Sequence, residues 1–357
     1  MFSNYENPEI AAATKQIVAQ IHPLRYLVFE LPRRCNLRCA HCGSRCPEYT
    51  SGKELSSSTF MHVVDRVSEV YRTDQVMFCV TGGEPLLRED WFEICSYIAS
   101  KGFSWGMTTN GTLINDNCVR RLVEADIKTV SVSLDGLKDT HEKLRGVAGS
   151  FDRAVSGIRL LKESGCCHSV QAVTVVSKLN IHELPALYDY ICELGVDSWK
   201  LTAIEPMGDA HNQKELFLDE QEHISLLTSI MLWRRKAAIG VTYGCSHFLP
   251  KRYDSSVRKQ PFICGAGTMV ASIASNGDIL PCLDIDSREL VRQGNVCEDD
   301  FIEVWENRFD LFRKNKANTS IKCRECQFRQ ECQGDSWHSW DFEKDTPRIC
   351  FKTHTFF

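Results

Sequence analysis

From residue 24 onward, short apolar runs alternate with longer segments in which apolar residues recur at helical spacing. Short apolar runs are typical of buried strands, and the helical period is typical of amphipathic helices. Strands are predicted at Leu24–Leu31, Gln75–Thr81, Phe103–Thr109, Thr129–Leu134, Val170–Val176 and Ser198–Ile204. The helices between them are predicted at Thr59–Tyr71, Glu89–Ser100, Ile114–Ala125, Asp152–Glu163 and Ile181–Leu194. This repetition indicates an α/β fold with a parallel sheet, open or curled into a barrel, that binds ligands at the carboxyl ends of its strands.

The pattern changes on both sides of this region. Before it lies one amphipathic segment, Pro8–Ile21, which predicts a helix. After a helix predicted at Glu220–Lys236, turns dominate and cysteines recur, as in a small domain that metal sites stabilise. We therefore expect a helical extension at residues 1–23, a core barrel at residues 24–236 and a small cysteine-rich domain at residues 237–357.

The composition limits the class of protein and the cellular compartment that we expect for this chain. Its 357 residues are 43% hydrophobic and 25% charged, as in a folded globular protein, and its net charge of −5 gives no general attraction to nucleic acid. The sequence has no signal peptide and no apolar run long enough to cross a membrane, so we expect a cytoplasmic protein without a membrane partner. In that reducing compartment, most of the 18 cysteines are expected to be metal ligands or catalytic residues. Others fall among apolar positions and are expected to pack in the core: Cys79, Cys95, Cys118 and Cys192.

Three cysteines follow the first predicted strand, in the segment Cys35-Asn-Leu-Arg-Cys39-Ala-His-Cys42. Thiolates suit iron–sulfur clusters and zinc, and three thiolates on a four-iron cluster leave one iron free for a small molecule. A fourth cysteine, Cys46, stands in the same loop and can close such a cluster. The spacing alone therefore leaves three alternatives open: an open cluster, a closed cluster and a zinc site.

Two further motifs occupy the ends of later strands. Thr81-Gly82-Gly83-Glu84-Pro85 ends the second strand, and Ser131-Val-Ser133-Leu-Asp135-Gly136 ends the fourth, with Arg145 a short loop beyond. Glycines let the backbone approach a ligand, and a carboxylate can hold an ammonium group. In this order, the motifs resemble those of the radical S-adenosylmethionine (SAM) superfamily. The resemblance covers roughly residues 24–204 and implies a partial (β/α)6 barrel of the TIM type.

The resemblance also implies the cofactors and their ligands. Cys35, Cys39 and Cys42 would bind a [4Fe–4S] cluster, and SAM would chelate its open iron. Seven residues would contact SAM: Gly82, Gly83 and Glu84 its methionyl amine, Asn110 and Ser133 its ribose or methionyl part, Arg145 its carboxylate, and His41 the adenine region. One electron from the cluster would cleave SAM to methionine and a 5′-deoxyadenosyl radical, which removes a hydrogen atom from the substrate.

The cysteines of the tail resemble those of the SPASM extension, which carries auxiliary iron–sulfur clusters in radical SAM enzymes. A complete four-thiolate set for the second auxiliary cluster is present: Cys323, Cys326, Cys332 and Cys350. The alternative is a structural zinc site, because a close cysteine pair with two further cysteines also makes a zinc ribbon. Behind a radical SAM barrel we expect clusters.

One position departs from the SPASM pattern. The family usually carries a cysteine four residues after Cys332, and this chain has Ser336 there. The first auxiliary cluster is the one that this change affects. Its secure ligands would be Cys264 and Cys282. The two candidates to complete the set are Cys245 and Cys297.

The resemblance implies an oxidoreductase that uses SAM to abstract a hydrogen from its substrate. We expect that substrate to be a ribosomally made peptide or a protein side chain, changed by crosslinking, thioether formation, epimerisation or oxidation. The peptide would bind the barrel, the tail or a separate recognition protein, because few residues precede the first strand. A flavodoxin- or ferredoxin-type protein would supply the electron.

Two other functions stay open. One is a radical enzyme that acts on a small molecule, such as a tetrapyrrole side-chain decarboxylase or an alcohol dehydrogenase. The other is a non-catalytic iron–sulfur protein for electron transfer or binding, which requires Cys46 to close the first cluster. Asp284 is either a surface aspartate in an acidic run or, as in some relatives, the catalytic base that deprotonates the substrate.

Overall fold

The computed structural model of the chain describes residues 8–46, 54–244 and 247–353. Its central feature is a sheet of ten strands in the order β10-β9-β8-β1-β2-β3-β4-β5-β6-β7. From β8 through β1 to β7 all neighbouring strands are parallel, and β9 and β10 extend the β8 edge as antiparallel strands. The strands are β1 (Tyr26–Glu30), β2 (Met77–Thr81), β3 (Ser104–Thr109), β4 (Thr129–Ser133), β5 (Ser169–Val176), β6 (Ser198–Ala203), β7 (Gly240–Tyr243), β8 (Val270–Ile273), β9 (Asp278–Leu280) and β10 (Gly294–Asn295).

Helices connect the parallel strands and cover one face of the sheet. Those of the barrel region are α1 (Pro8–Ile21), α2 (Ser57–Val70), α3 (Trp91–Ser100), α4 (Asp116–Glu124), α5 (Lys138–Arg145), α6 (Ser150–Ser164), α7 (Leu184–Glu193) and α8 (Glu220–Lys236). Those that follow are α9 (Lys251–Val257), α10 (Arg288–Val291), α11 (Phe301–Asn307), α12 (Ile321–Arg324) and α13 (Arg329–Cys332), and a small hairpin joins β11 (Trp340–Asp341) to β12 (Thr346–Pro347). The expected alternation of strand and helix is confirmed.

The two faces of the sheet differ because successive side chains of a strand point to opposite faces. Along β5, every second residue is buried and the others are half-buried. The buried face packs under the helices through large side chains such as Phe29, Phe78 and Trp105. The other face lines the inside of a curled sheet that does not close, which is the expected partial barrel.

The strands at both edges come from beyond Lys236. β7 extends the sheet beside β6, and β8 lies beside β1. The tail thus packs against the same end of the barrel that the first cysteine loop occupies. The division at residues 23/24 and 236/237 stays a prediction. None of the helices in the described part of the chain combines the length and the apolar character that crossing a bilayer requires.

Candidate functional site

The loop that carries Cys35, Cys39 and Cys42 lies directly after β1, at the carboxyl end of the parallel strands. It is anchored on the end of α5, because the backbone N–H groups of Arg38 and Ala40 donate to carbonyl oxygens there at 3.0 and 2.8 Å. All three thiols line a cavity of about 340 Å³ at this edge of the barrel. The expected convergence of the three cysteines is therefore present.

The surroundings of these thiols fit an iron–sulfur cluster. Burial raises the pKa of the Cys35 thiol to about 11 and also raises that of Cys39, so each thiolate needs compensating positive charge. The N–H of Leu37 donates to Cys35 Sγ at 3.4 Å, and Arg145 Nη1 lies 3.6 Å from Cys39 Sγ. No group of three or more His, Cys, Asp or Glu side chains in the described residues is arranged to hold a single metal ion. Thiolates around a cube of iron and sulfide are held farther apart than the ligands of a single zinc ion.

Cys46 is also brought to this cavity, beside Cys42. The thiol of Cys46 hydrogen-bonds to Cys42, which lowers the pKa of Cys42 to about 6. Cys42 is thus the readily ionised member of the pair, as expected of a metal ligand. The side chain of Cys46 is buried, and its position makes it the geometric candidate for the closed cluster that the sequence left open.

The Gly82-Gly83-Glu84 turn packs tightly against the chain just before the cysteine loop. The N–H of Gly83 donates to Pro32 O at 2.8 Å, and that of Glu84 donates to Arg34 O at 3.0 Å. A Cβ atom on either glycine would lie 2.3 Å from one of those two carbonyl oxygens. Only glycine therefore allows this close approach, and both glycines line the cavity.

Glu84 itself faces away from the cavity wall. It is fully buried and accepts hydrogen bonds from Thr109 Oγ1 at 2.7 Å and from the N–H of Asn110 at 2.8 Å. Burial raises the pKa of Glu84 to about 7 in spite of these bonds. Its carboxylate braces the end of β3, where Asn110 lines the cavity. A direct contact of Glu84 with SAM stays a prediction.

Asp135 holds the other predicted SAM residues in place. Its Oδ2 lies 2.6 Å from Arg145 Nη2 and 3.0 Å from His41 Nε2. Burial alone would raise the pKa of Asp135, but Arg145 and then His41 hold it below its ordinary value. Arg145, His41 and Ser133 all line the cavity. No role was predicted for Asp135, although its place two residues after Ser133, at the end of β4, was the available signal.

The opposite wall of the cavity joins the barrel to the tail. Glu205 follows the end of β6 and is only 4% exposed, and its Oε1 lies 2.9 Å from Nε2 of His338. His247 lies behind this pair, 3.6 Å from Glu205 Oε1 and 3.0 Å from Asp335 Oδ2. Among the described residues, Glu205 Oε2 has no hydrogen-bond partner. Sequence reasoning missed this pair, because nothing in the pattern links residue 205 to residue 338.

Asp284 also belongs to the cavity. It lines the wall beside the SAM residues, and its Oδ2 lies 3.9 Å from Cys282 Sγ. The structure therefore brings Asp284 to the same cavity as the three cysteines of the first loop. Its catalytic role remains a prediction.

The four cysteines expected to bind the second auxiliary cluster converge in the tail. Together they line one cavity of about 220 Å³: Cys323, Cys326, Cys332 and Cys350. Burial raises the pKa of Cys332 to about 12, so its thiolate also needs positive charge nearby. Phe248, Phe328 and Phe351 form an aromatic part of the wall. A pocket lined by four thiols, one buried and three half-buried, with an aromatic wall fits a cluster.

The ligands expected for the first auxiliary cluster are only partly brought together. Cys264 accepts a hydrogen bond at 3.4 Å from the N–H of Trp337, the residue after Ser336. Ser336 is fully buried, and its hydroxyl group lies 3.1 Å from His338 Nε2 and from Ser339 Oγ. Serine thus occupies the position beside Cys264 where the family has its cysteine.

Cys297 lies away from this site. It is exposed, and the antiparallel register of β9 and β10 puts it beside the turn that precedes β9. Cys282 follows β9 at the opposite end, five residues or about 16 Å along an extended chain from Gly277. The structure therefore separates Cys297 from Cys282. The other candidate, Cys245, lies outside the described residues.

Comparisons with known proteins agree with this geometry. The radical SAM superfamily profile matches residues 29–191, and the SPASM profile, described as an iron–sulfur cluster-binding domain, matches residues 264–327. An AdoMet-dependent heme synthase of Methanosarcina barkeri is 29% identical and aligns over 89% of this chain and 93% of its own. An Fe-coproporphyrin III synthase of the same organism is 34% identical over 87% of this chain and 82% of its own. The mycofactocin maturase MftC of Mycobacterium ulcerans is 29% identical over 86% and 81%.

The fold is also that of solved structures. The crystal structure of Streptococcus suis SuiB bound to S-adenosylmethionine superposes with a TM-score of 0.72 at 18% identity, over 96% of this chain and 81% of that chain. The expected cofactors, SAM and [4Fe–4S] clusters, follow from the two domains, and the zinc alternative for the tail does not agree with them. The chain therefore belongs to the radical SAM superfamily, in the group whose members carry a C-terminal SPASM iron–sulfur domain.

Proposed function

We propose that this chain is a radical SAM/SPASM enzyme that acts on a tetrapyrrole and removes carbon dioxide from one of its carboxylate side chains. The observation that carries the proposal is the 34% identity, over most of both chains, to a relative named Fe-coproporphyrin III synthase. A relative named heme synthase aligns over an even larger share of its own length. The order of preference expected from the sequence, with a peptide first, is therefore reversed.

The residues of the cavity have separate tasks in this reaction. Cys35, Cys39 and Cys42 would hold the cluster, and the Gly82-Gly83 turn with Arg145 would hold SAM. When bound, these two groups supply the reducing electron and the 5′-deoxyadenosyl radical that removes a hydrogen atom from the substrate. The carboxylate side chain would then lose carbon dioxide and one electron and keep a carbon–carbon double bond, with an oxidised iron–sulfur cluster as the class of group that takes the electron. The ion pair to Asp135 fixes the guanidinium of Arg145 before SAM arrives, which lowers the ordering cost of binding.

The far wall would hold the substrate. The unpartnered Oε2 of Glu205 can accept a hydrogen bond from a substrate N–H or O–H group. His338 and Asp284 flank the same space and can take or hold a proton at Nε2 and Oδ2. Because this wall combines β6 with the tail, the substrate would lie between the two domains.

The test is an anaerobic assay with reconstituted protein, SAM, a flavodoxin- or ferredoxin-type donor and iron–coproporphyrin III. We expect formation of 5′-deoxyadenosine together with a porphyrin product that has lost carbon dioxide. Mass spectrometry and visible absorption spectroscopy detect the porphyrin product. A protein without SAM is the control. If 5′-deoxyadenosine accumulates while iron porphyrins with different numbers of carboxylates all stay unchanged, the tetrapyrrole proposal is wrong.

A peptide substrate is the second candidate. The similarity to a mycofactocin maturase over 86% of this chain favours it. In that case, incubation with a short peptide encoded beside the gene would change the mass of the peptide. Asp284→Asn would then stop peptide modification while 5′-deoxyadenosine is still released, since Asp284 would be the base.

A further inference from the structure

The barrel encloses an open space below the carboxyl ends of its strands. In β3, Thr108 is exposed although both of its neighbours in the chain are buried. On β5 and β6, Val173, Lys200 and Thr202 are only half-buried, and all of them line the cavity together with Thr108. A packed barrel fills this space with side chains. Here the space is left for a ligand.

Lys200 stands out among the basic side chains that line this cavity. Arg145 and His41 lie 2.6 and 3.0 Å from Asp135, and His338 lies 2.9 Å from Glu205. In the described part of the chain, Lys200 forms no ion pair and no hydrogen bond through its side chain. It is the one basic lining residue there that lacks a carboxylate partner.

The neighbours of Lys200 leave its charge uncompensated. In the parallel register it lies beside Val173 of β5 and Thr242 of β7. The thiol of Cys79 lies within electrostatic range of Lys200, but it does not compensate the ammonium charge. Burial raises the pKa of that thiol to about 11, so the thiol is neutral. On the lower part of the same face, Gln171 bonds to Ser131 and Ser198 at 3.3 and 3.0 Å, so these groups satisfy one another. A half-buried ammonium among neutral groups is stabilised when an anion binds beside it.

Lys200 lies on the inner wall of the barrel, in the register row that runs through Val173 of β5 to Ser133 of β4. It precedes the end of β6 by three residues, which corresponds to about 10 Å of strand. Gly82 directly follows the end of β2, and Arg145 is the last residue of α5. This cavity therefore has two cationic groups on different elements, Arg145, which is paired with Asp135, and Lys200, which forms no ion pair in the described part of the chain.

We propose that Lys200 binds a carboxylate of the substrate inside the barrel. This assignment rests on the proposed function, because a tetrapyrrole with carboxylate side chains supplies the carboxylate that Lys200 would bind. The ammonium donates up to three hydrogen bonds to the carboxylate and neutralises its charge. Anchoring one side chain in this way fixes which part of the macrocycle faces the SAM site.

The first experiment compares substrate binding in reconstituted, SAM-loaded protein. Iron–coproporphyrin III is titrated into the wild type, Lys200→Met, Lys200→Arg and the control Lys344→Met, whose side chain is 75% exposed in a hairpin. Lys200→Met should weaken binding roughly tenfold to a hundredfold, the loss of a charge-assisted hydrogen bond, and Lys200→Arg should recover part of it. Equal affinity of Lys200→Met and wild type overturns the site, and so does a loss of SAM affinity in its place, because the carboxylate bound would then be that of SAM.

The second experiment uses the wild type and no porphyrin. Lysines of the SAM-loaded protein are reductively methylated with and without propionate, and the modified positions are read by mass spectrometry. Propionate should slow modification of Lys200 several-fold and leave Lys344 unaffected. If propionate protects Lys200 but iron–coproporphyrin III does not bind, the tetrapyrrole proposal fails and the carboxylate site stands. If propionate gives no protection, the carboxylate site is wrong whatever the porphyrin does.

Discussion

At the scale of single residues, three thiols decide whether this protein cleaves SAM. Reconstituted and reduced protein should release 5′-deoxyadenosine even without substrate, because Cys35, Cys39 and Cys42 leave one iron of the cluster open. Replacing all three with alanine should abolish this release, measured by chromatography under anaerobic conditions. Cleavage that persists in the triple variant would contradict the site, and the absence of cleavage in the wild type would indicate that Cys46 closes the cluster.

Asp135 supports a prediction with a defined pH dependence. Asp135→Asn leaves the buried guanidinium of Arg145 without its carboxylate, which should lower the free energy of unfolding by about 3–5 kcal/mol at neutral pH. Since the folded pKa of Asp135 lies below its ordinary value, its contribution is present above the unfolded pKa of about 3.9 and is lost as the pH falls through the folded pKa.

The difference between wild type and Asp135→Asn should therefore stay constant from about pH 7 to about pH 5 and shrink only in strong acid. Denaturant unfolding at a series of pH values measures it, and calorimetry should show weaker SAM binding by the variant. A difference that disappears already between about pH 7 and about pH 5 would mean that another group titrates in this network.

At the scale of elements, one buried contact between a carboxylate and an imidazole, Glu205 with His338, joins the end of β6 to the tail. Burial alone would raise the pKa of Glu205, but His338 and His247 lower it below its ordinary value. Glu205→Gln should lower the free energy of unfolding by about 3–5 kcal/mol, because an imidazole loses its carboxylate in a buried place. The double variant Glu205→Gln/His338→Gln should lose less than the sum of the single variants.

Thermal unfolding under anaerobic conditions measures this coupling. Asp341→Asn breaks the exposed pair to Lys344 and serves as the control, with an expected change of at most about 1 kcal/mol. Additive effects of the two buried substitutions would show that Glu205 and His338 do not stabilise each other.

Most elements of the barrel were predictable because they carry a clear period. The helix expected at Pro8–Ile21 has those bounds, and so does that at Glu220–Lys236, where Asp219 and Glu222 form a capping box. Among the helices and strands up to β7, two were not predicted, and none of those after β7 was predicted. α5 has the sequence Lys-Asp-Thr-His-Glu-Lys-Leu-Arg, which lacks an apolar stripe, and the four residues of β7 are too few to show a period. Both form because the barrel provides partners for them.

At the scale of the whole molecule, the iron content tests both domains together. Three four-iron clusters give about twelve irons and two give about eight. We expect about twelve, with the first auxiliary cluster the most labile, since Ser336 replaces a thiolate beside Cys264 and a hydroxyl group is a poor ligand for iron.

Cys297→Ser should leave the iron content unchanged, because Cys297 is exposed and lies far from Cys282. Cys245→Ser should lower it by up to about four irons if a cysteine completes that cluster. Metal analysis of anaerobically reconstituted protein measures both variants. Loss of iron in Cys297→Ser and none in Cys245→Ser would reverse the assignment.

The sequence by itself determined the family, the alternation of strands and helices, and the residues of the cysteine motifs. These features are local: a thiol spacing, a strand followed by two glycines, or an apolar period can be read within a few residues. The tertiary structure alone decided which distant groups meet. It joined Asp135 to Arg145 and Glu205 to His338, separated Cys297 from Cys282, and turned Cys79, expected in the core, towards the inside of the barrel. It also left Lys200 without a carboxylate partner among the described residues, because pairing of charges depends on how the strands curl and not on the order of residues along the chain.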